Sequence, residues 1–121
     1  MTVLADRHTD FGVGSWTPAC ALDRLLPGRG VAVLLPDGAQ VALFLLPDEK
    51  LVAVGNIDPF GRAAVMSRGI VGDRRGEPTV ASPLLKQVFS LIDGRCLDNE
   101  CYALPVYDVR VVDGFVEIRA S

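Results

Sequence analysis

The sequence predicts an all-β fold, an antiparallel sandwich or barrel of short strands with little helix. Three observations lead to this prediction. Short apolar runs rich in Val and Leu recur along the chain, Asp-Gly or proline-containing turns separate them, and no segment keeps a helical period. Short strands punctuated by such turns are typical of antiparallel β domains, whereas βαβ units need long helical crossovers.

The composition describes one domain. The chain has 121 residues, half of them hydrophobic, and a net charge of −3. A chain of this length buries roughly two-thirds of its unfolded surface, enough for a core without further support. The charge gives no electrostatic reason to bind nucleic acid or an anionic membrane, so we expect neither partner.

Targeting and redox features favour the cytoplasm. No apolar run reaches the ~18 residues of a spanning helix, and the N-terminus lacks the apolar segment of a secretory signal. The three cysteines are Cys20, Cys96 and Cys101. An odd number at irregular spacing fits reduced thiols, so we expect a cytoplasmic protein with no disulfide.

Along the chain we expect a flexible N-terminal arm over residues 1–14 and one domain over residues 15–121. The domain begins with an edge strand at 15–19, anchored by Trp16, and a helical turn within 21–26. The strands that follow are bounded by turn residues and are predicted at 31–35, 40–46, 51–56, 70–73, 77–81, 87–91, 107–112 and 115–119. A second short helical turn is expected within 61–67.

Sequence patterns for catalysis or metal binding are incomplete. The one histidine, His8, lies in the predicted arm, so no Ser-His-Asp or Cys-His nucleophile can be assembled. The cysteines and His8 give too weak a pattern for the four ligands of structural zinc. The PGRG run at 27–30 lacks the Lys-Ser/Thr of a phosphate loop. We therefore expect no self-contained catalytic site.

Two turns with the same chemistry close strands about two dozen residues apart. They are NIDPF at 56–60 and SPLLK at 82–86, and the second opens a stretch with an Asp-Gly hairpin turn at 93–94. If their strands are neighbours, these turns form paired loops at one end of the domain. Asp58 and Ser82 each precede a proline, and each side-chain oxygen is expected to accept a backbone N–H nearby.

These loops carry a resemblance to Rieske iron–sulfur domains, which have Cys-x-His in the first loop and Cys-x-x-His in the second. Here DPF at 58–60 and SPLL at 82–85 stand in those places, followed by a Rieske-like continuation at 89–97. With GRGVAVLL, NIDPF, SRGIVGD and SPLLKQVFSL, the chain more closely resembles the small subunit of the assimilatory NAD(P)H-dependent nitrite reductase. The resemblance runs from residue 16 to residue 118.

The resemblance implies a Rieske-like fold in which all four cluster ligands are replaced, by Asp58, Phe60, Ser82 and Leu85. Phe60 and Leu85 have no lone pair for iron, so we expect no cofactor in this chain. The family places flavin, iron–sulfur and sirohaem groups on a large subunit that reduces nitrite to ammonium. The resemblance therefore implies a non-catalytic subunit that binds and supports this large subunit.

Two alternatives stay open at this point. The first is a Rieske-type ferredoxin that carries electrons through an atypical 2Fe–2S site, and iron and sulfide content separates it from the subunit hypothesis. The second is a binding module of another oxidoreductase complex, which co-purification from the native host separates.

The loop tips are the expected docking region for the large subunit. Phe60 and Leu85 are expected to meet in the space that a cluster would occupy, with Leu85 mainly inward and Phe60 and Leu84 at least partly outward. An exposed apolar patch usually marks an interaction surface. The candidate docking residues are Phe60, Leu84, Lys86, Arg68, Arg74 and Arg75, although the three arginines also fit a merely solvated hairpin.

Overall fold

The computed structural model describes residues 2–4 and 16–120. Their regular structure is almost entirely strand. The strands are β1 (Thr2–Leu4), β2 (Thr17–Ala21), β3 (Gly30–Leu34), β4 (Gln40–Leu45), β5 (Leu51–Gly55), β6 (Ile70–Arg74), β7 (Glu77–Ala81), β8 (Val88–Ser90), β9 (Val106–Val112) and β10 (Phe115–Ala120). Two 3-10 helices of three residues each lie at Leu22–Arg24 and Met66–Arg68.

Seven strands form one large sheet in the order β1-β3-β4-β5-β9-β10-β2. All its neighbours are antiparallel except β1 and β3. The end strands β1 and β2 come within 8 Å of each other, so the sheet curls into a nearly closed barrel. A second sheet, β6-β7-β8, packs beside it.

The central strands β4 and β5 are buried on both faces, which is why they are continuous apolar runs. Successive side chains of a strand point to opposite faces. Val41 and Leu43 therefore face the barrel interior, where they join a core with Val33, Val116 and Ile118.

The alternate residues face the small sheet and form a second core. Ala42 and Phe44 of β4 pack there with Val80, Phe89 and Met66. Each buried side chain of this kind contributes about 1.5–3 kcal/mol by area, so this second core fixes the small sheet, and the loops it carries, against the barrel.

The β architecture predicted from the turns is confirmed, and most strand boundaries agree to within one residue. The predicted arm over 1–14 is wrong in one part, because Thr2–Leu4 pairs in parallel with Ala32–Leu34 as β1. This strand forms because its backbone pairs with the open edge of β3. A segment of three residues is too short to show the period-2 alternation by which a strand is predicted. His8, the rest of the arm and Ser15 lie outside the described residues.

Trp16 anchors the start of the domain through two arginines. The guanidinium carbons of Arg110 and Arg119 lie 4.2 and 4.4 Å from the centroid of its ring. These arginines come from the paired strands β9 and β10 and make ion pairs with Glu117 and Asp108. Cation–π contacts of this kind add to the apolar contact of the ring.

Within the described ranges, the helical segments are far too short to cross a membrane.

A close approach at Gly30 supplies a test of the packing. A Cβ built at Gly30 would lie 2.3 Å from the Ser67 carbonyl oxygen and 2.6 Å from Phe44 Cε1. We expect Gly30→Ala to lower the free energy of unfolding by about 3 kcal/mol, since overpacking against backbone forces strands apart. Gly38→Ala is the control, because its Cβ meets nothing within 4 Å and only its positive φ of 92° is strained.

Denaturant titration measures both variants, and the control should cost about 1 kcal/mol. Equal losses for Gly30→Ala and Gly38→Ala would show that the contact between β3 and the second 3-10 helix is not tight.

Candidate functional site

The two loops predicted from the sequence lie side by side. Loop 1 (residues 58–63) follows β5, and loop 2 (residues 82–87) connects β7 to β8. A direct side-chain hydrogen bond joins Ser82 to Asp58 across a separation of 24 residues. The prediction of paired loops at one end of the domain is thus confirmed.

The two loops have the same backbone geometry, and loop 3 (residues 90–95) shares it. In each, the N–H of the first residue donates to the carbonyl of the sixth, and the N–H of the fifth donates to the carbonyl of the first. The fifth residue has a left-handed conformation in all three, with φ of 58° at Arg62, 63° at Lys86 and 80° at Gly94. Four-residue hairpin loops built around a type I turn commonly close in this way.

The first residue of each loop also bonds its own turn. The Phe60 N–H donates to Asp58 Oδ1 at 2.8 Å, and the Leu84 N–H donates to Ser82 Oγ at 3.3 Å. The predicted Asx- and Ser-type turns are therefore present. In loop 3 the Ile92 N–H donates to Ser90 Oγ at 3.1 Å.

Asp58 is the centre of the loop pair. Its side chain is fully buried, with Ser82 almost as inaccessible. Oδ1 accepts from the Phe60 and Gly61 N–H groups, and Oδ2 accepts the Ser82 hydroxyl proton. A buried carboxyl group is tolerated only when its oxygens are satisfied, so these three donors explain why Asp58 can lie there.

Asn56 fixes the base of loop 1. It is buried, and its Oδ1 accepts the Ser67 N–H at 2.7 Å. Its backbone N–H donates to the Gln40 carbonyl at 3.0 Å. These bonds tie the loop to β4 on one side and to the second 3-10 helix on the other, so Asp58 is held from both sides.

Phe60 is half-buried, which agrees with the expectation that it lies at least partly outward. Its ring centroid lies 4.1 Å from that of Tyr102 and 6.2 Å from that of Phe89. The expected inward packing of Leu85 against Phe60 is wrong, because Leu85 is 56% exposed. Phe60 packs against Tyr102 and Phe89 in place of Leu85. No sequence pattern points to this role of Tyr102.

Leu84 and Leu85 both lie at the surface of loop 2, with Leu84 48% exposed. The expected outward position of Leu84 is correct, whereas the inward position of Leu85 is wrong. A Cβ built at Gly61 would lie 2.8 Å from Leu84 Cδ1, so Leu84 lies against loop 1. Ile57, directly before loop 1, is also an exposed apolar residue, at 42%.

The cationic docking candidates fall into two places. Lys86 belongs to loop 2, and Arg68 ends the second 3-10 helix close to β6. Arg74 and Arg75 lie at the far end of the β6–β7 hairpin, since β6 runs from the Ile70↔Ala81 pair to the Arg74↔Glu77 pair. That distance is about 13 Å along the strand. The three arginines therefore do not form one patch with the loops.

Carboxylates compensate part of the charge at the far end of the hairpin. Arg74 lies 3.6 Å from Asp98, and Arg95 pairs with Glu77 and Asp93. Hydrogen bonds from Ser90 and then from Arg95 hold the pKa of Glu77 below its usual value. These contacts favour a solvated ion network there.

Arg62 is a site residue that the sequence analysis missed. It is exposed and takes the fifth, left-handed position of loop 1, equivalent to Lys86 in loop 2. A side chain in this conformation costs ~1 kcal/mol. The equivalent Gly94 of loop 3 avoids this cost. Only the comparison of the three loops reveals the equivalence, because their sequences share few residues.

All three cysteines are free thiols, as expected from the sequence. Cys20 and Cys96 are buried and Cys101 is exposed. Burial raises the pKa of the Cys20 thiol, which disfavours the reactive thiolate. Cys20 and Cys96 thus act as small apolar residues in the two cores.

Comparison with known proteins identifies a family and several relatives that this chain resembles. A family model described as a Rieske-like 2Fe–2S domain matches residues 15–119. A nitrite reductase (NADH) small subunit from Salmonella typhimurium is 44% identical over 108 residues, which cover 88% of this chain and 99% of that relative. A crystal structure described as an NADH-dependent nitrite reductase small subunit from Mycobacterium tuberculosis is 58% identical, with a TM-score of 0.85 and coverage of 88% and 96%.

Two further proteins are similar to this chain, one in sequence and one in fold. The nitrite reductase NAD(P)H large subunit of Klebsiella oxytoca contains a segment 40% identical over 101 residues, which is 84% of this chain and 10% of that protein. The ferredoxin of carbazole 1,9a-dioxygenase from Nocardioides aromaticivorans has a TM-score of 0.73 at 22% identity, covering 86% of this chain and 96% of that one. At this identity the ferredoxin shows a shared fold.

The comparisons contradict the expectation that this chain carries no cofactor. The matching family is one of 2Fe–2S domains, and ferredoxins share the fold. These findings point to an iron–sulfur cofactor in a domain of this type. The expectation was wrong because it was drawn from four loop residues alone.

The residues at these four positions nevertheless do not fit a Rieske cluster. Phe60 and Leu85 have no donor atom, and the oxygens of Asp58 and Ser82 already bond each other and the loop backbone. Across the described ranges, no three His, Cys, Asp or Glu side chains are grouped to hold a metal ion.

The contacts of Phe60 give a direct test. We expect Phe60→Ala to lower the free energy of unfolding by about 3 kcal/mol, the low end for an aromatic core truncation, because the ring is partly buried against Tyr102 and Phe89. Leu85→Ala is the matched control and should change stability by less than about 0.5 kcal/mol. Chemical denaturation of the purified chain measures both. A larger loss for Leu85→Ala than for Phe60→Ala would reverse the assignment.

Proposed function

Because this chain belongs to the family of NADH-dependent nitrite reductase small subunits, with a Rieske-like domain, we propose that it pairs with a nitrite reductase large subunit and supports the reduction of nitrite to ammonium. In this proposal the chain is a subunit of an oxidoreductase, and its role is to bind and support the large subunit.

The observation that carries the proposal is the match to the Salmonella typhimurium small subunit, which extends over 99% of that relative. An end-to-end match supports the same subunit role. It favours that role over an independent electron carrier and over a module of an unrelated oxidoreductase.

The Klebsiella oxytoca large subunit supports the choice of partner. It contains, within one polypeptide, a segment similar to this chain. A domain fused to its partner is present in one copy per partner. We therefore extend the proposal to one copy of this chain per large subunit.

The end of the domain that carries loops 1 and 2, called the loop end below, is the proposed docking surface. Leu84, Leu85 and Ile57 are exposed there on loops whose bases are fixed by buried hydrogen bonds. An apolar surface on rigid loops loses little conformational entropy when a partner covers it. Lys86 and Arg68 remain predicted members of this surface. Arg74 and Arg75 remain predictions too, but they need a second contact region.

The proposed setting is nitrite assimilation in the cytoplasm. The reducing environment there keeps free thiols reduced, which matches three cysteines without a disulfide. NADH is supplied in the same compartment as the electron donor that the relatives' names state.

The test is co-purification of the full chain, carrying an affinity tag, from its native host grown on nitrite. We expect the large subunit to be recovered with nitrite-dependent NADH oxidation, and native mass spectrometry to give equal copy numbers. A Gly38→Ala chain is the folded control and should recover the same complex.

Recovery of a different oxidoreductase, or of the chain alone from cells that contain the large subunit, would contradict the proposal. Complexes with unequal copy numbers would reject the one-to-one ratio and leave the partner correct.

A further inference from the structure

Two equivalent loops place a cation in a strained conformation at the same end of the molecule. Arg62 and Lys86 occupy the fifth position of loops 1 and 2, with φ of 58° and 63°. Loop 3 makes the same turn with Gly94 at this position, at a φ of 80°. The turn itself therefore does not require a side chain there.

The space around the fifth position differs between the loops. Only glycine fits at Gly94, because a Cβ there would lie 2.1 Å from the Leu104 carbonyl oxygen. Arg62 and Lys86 are both exposed, so no core contact compensates for their left-handed backbone. Backbone strain often marks functional side chains. Glu49, Arg75 and Asp113 are left-handed in other turns too, so the shared charge and equivalent positions of Arg62 and Lys86 distinguish this pair.

The charges of the two loops are of one sign. Asp58 is buried and hydrogen-bonded, so the exposed charged side chains of loops 1 and 2 are Arg62 and Lys86. Among the residues described, neither has a carboxylate partner within 4.0 Å, which is also true of Arg24, Arg29, Lys50, Arg68 and Arg75, whereas Arg74, Arg95, Arg110 and Arg119 have one. A pair of uncompensated cations in a chain of net charge −3 is suited to an acidic partner.

The apolar surface lies on the same two loops. Leu84 and Leu85 are 48% and 56% exposed, and Leu84 bridges to Gly61, next to Arg62. Apolar contacts with charged residues around them are the usual composition of a protein interface, with the charges at its rim. Lys86 directly follows the two leucines in loop 2.

We propose that Arg62 and Lys86 are held in the left-handed conformation to form a cationic rim around Leu84 and Leu85, which docks on an apolar recess bordered by carboxylates on the nitrite reductase large subunit. This inference rests on the proposed function and adds the partner's surface chemistry and the residues that recognise it.

The experiment replaces the strained cations by glycine in the full chain. Arg62→Gly, Lys86→Gly and the double variant are compared with Glu49→Gly, which removes a charged left-handed residue at the opposite end of β5, where φ is 70°. All should keep the melting temperature or raise it by up to about 4 °C, because glycine relieves the strain. Thermal unfolding checks this first.

Binding to the purified large subunit is then measured by surface plasmon resonance at low and physiological salt. We expect the double variant to bind about tenfold more weakly, mostly through slower association, and to lose much of the salt dependence. Glu49→Gly should bind like the unaltered chain. Arg62→Lys should retain most of the affinity, since it keeps the charge.

The outcomes distinguish a failure of the cationic rim from a failure of the proposed function. If the unaltered chain binds but the double variant binds equally well with the same salt dependence, the cationic rim is wrong and the proposed function stands. If the unaltered chain does not bind the large subunit, the proposed function fails, and this inference fails with it. A lowered affinity for Glu49→Gly of the same size would show a general effect of the glycine substitution and overturn the assignment.

Discussion

The hydrogen bond from Ser82 to Asp58 is the interaction on which the loop end depends. It joins two loops that are 24 residues apart in sequence and belong to different sheets. Because Asp58 also accepts two N–H groups of its own loop, one buried side chain sets the conformation of loop 1 and its position against loop 2. A metal cluster ties such loops together through covalent bonds to ligands. Here hydrogen bonds between side chains make the connection.

The arrangement of the surface follows from this connection. With Asp58 fixed, Phe60 packs between the exposed Tyr102 and the buried Phe89, and Leu84 lies over Gly61. Phe60 of loop 1 is then half-buried, whereas Leu84 and Leu85 of loop 2 remain exposed. The second core, between β4–β5 and the small sheet, holds both loop bases rigidly enough to keep this asymmetry. The proposed docking surface is therefore present in the chain without a bound partner.

The fold was predictable because turn chemistry and period-2 alternation are local. Asp93-Gly94 and Pro36-Asp37-Gly38 predict hairpins from neighbouring residues alone. The side chains of the site were not equally predictable. The direction of Leu85 and the contact of Phe60 with Tyr102 depend on residues distant in sequence. Arg62 went unnoticed because its equivalence to Lys86 is a property of backbone conformation. The cofactor expectation was wrong because it used four residues where the family comparison uses the whole domain.

A double-mutant cycle on Asp58 and Ser82 tests the central claim most directly. Asp58→Ala, Ser82→Ala and the double variant are unfolded with denaturant, and the coupling energy is taken from the three losses of stability. The account predicts a coupling of about 2 kcal/mol, the range for a hydrogen bond to a carboxylate group. The matched pair is Ser90 and Glu77. Ser90 is the buried serine at the equivalent position of loop 3, and it bonds at 2.6 Å to a carboxylate that is partly exposed and also paired with Arg95, so the coupling should be smaller. Additive losses at Asp58 and Ser82, with a coupling below about 0.5 kcal/mol, would contradict the account, since independent distant sites behave in that way.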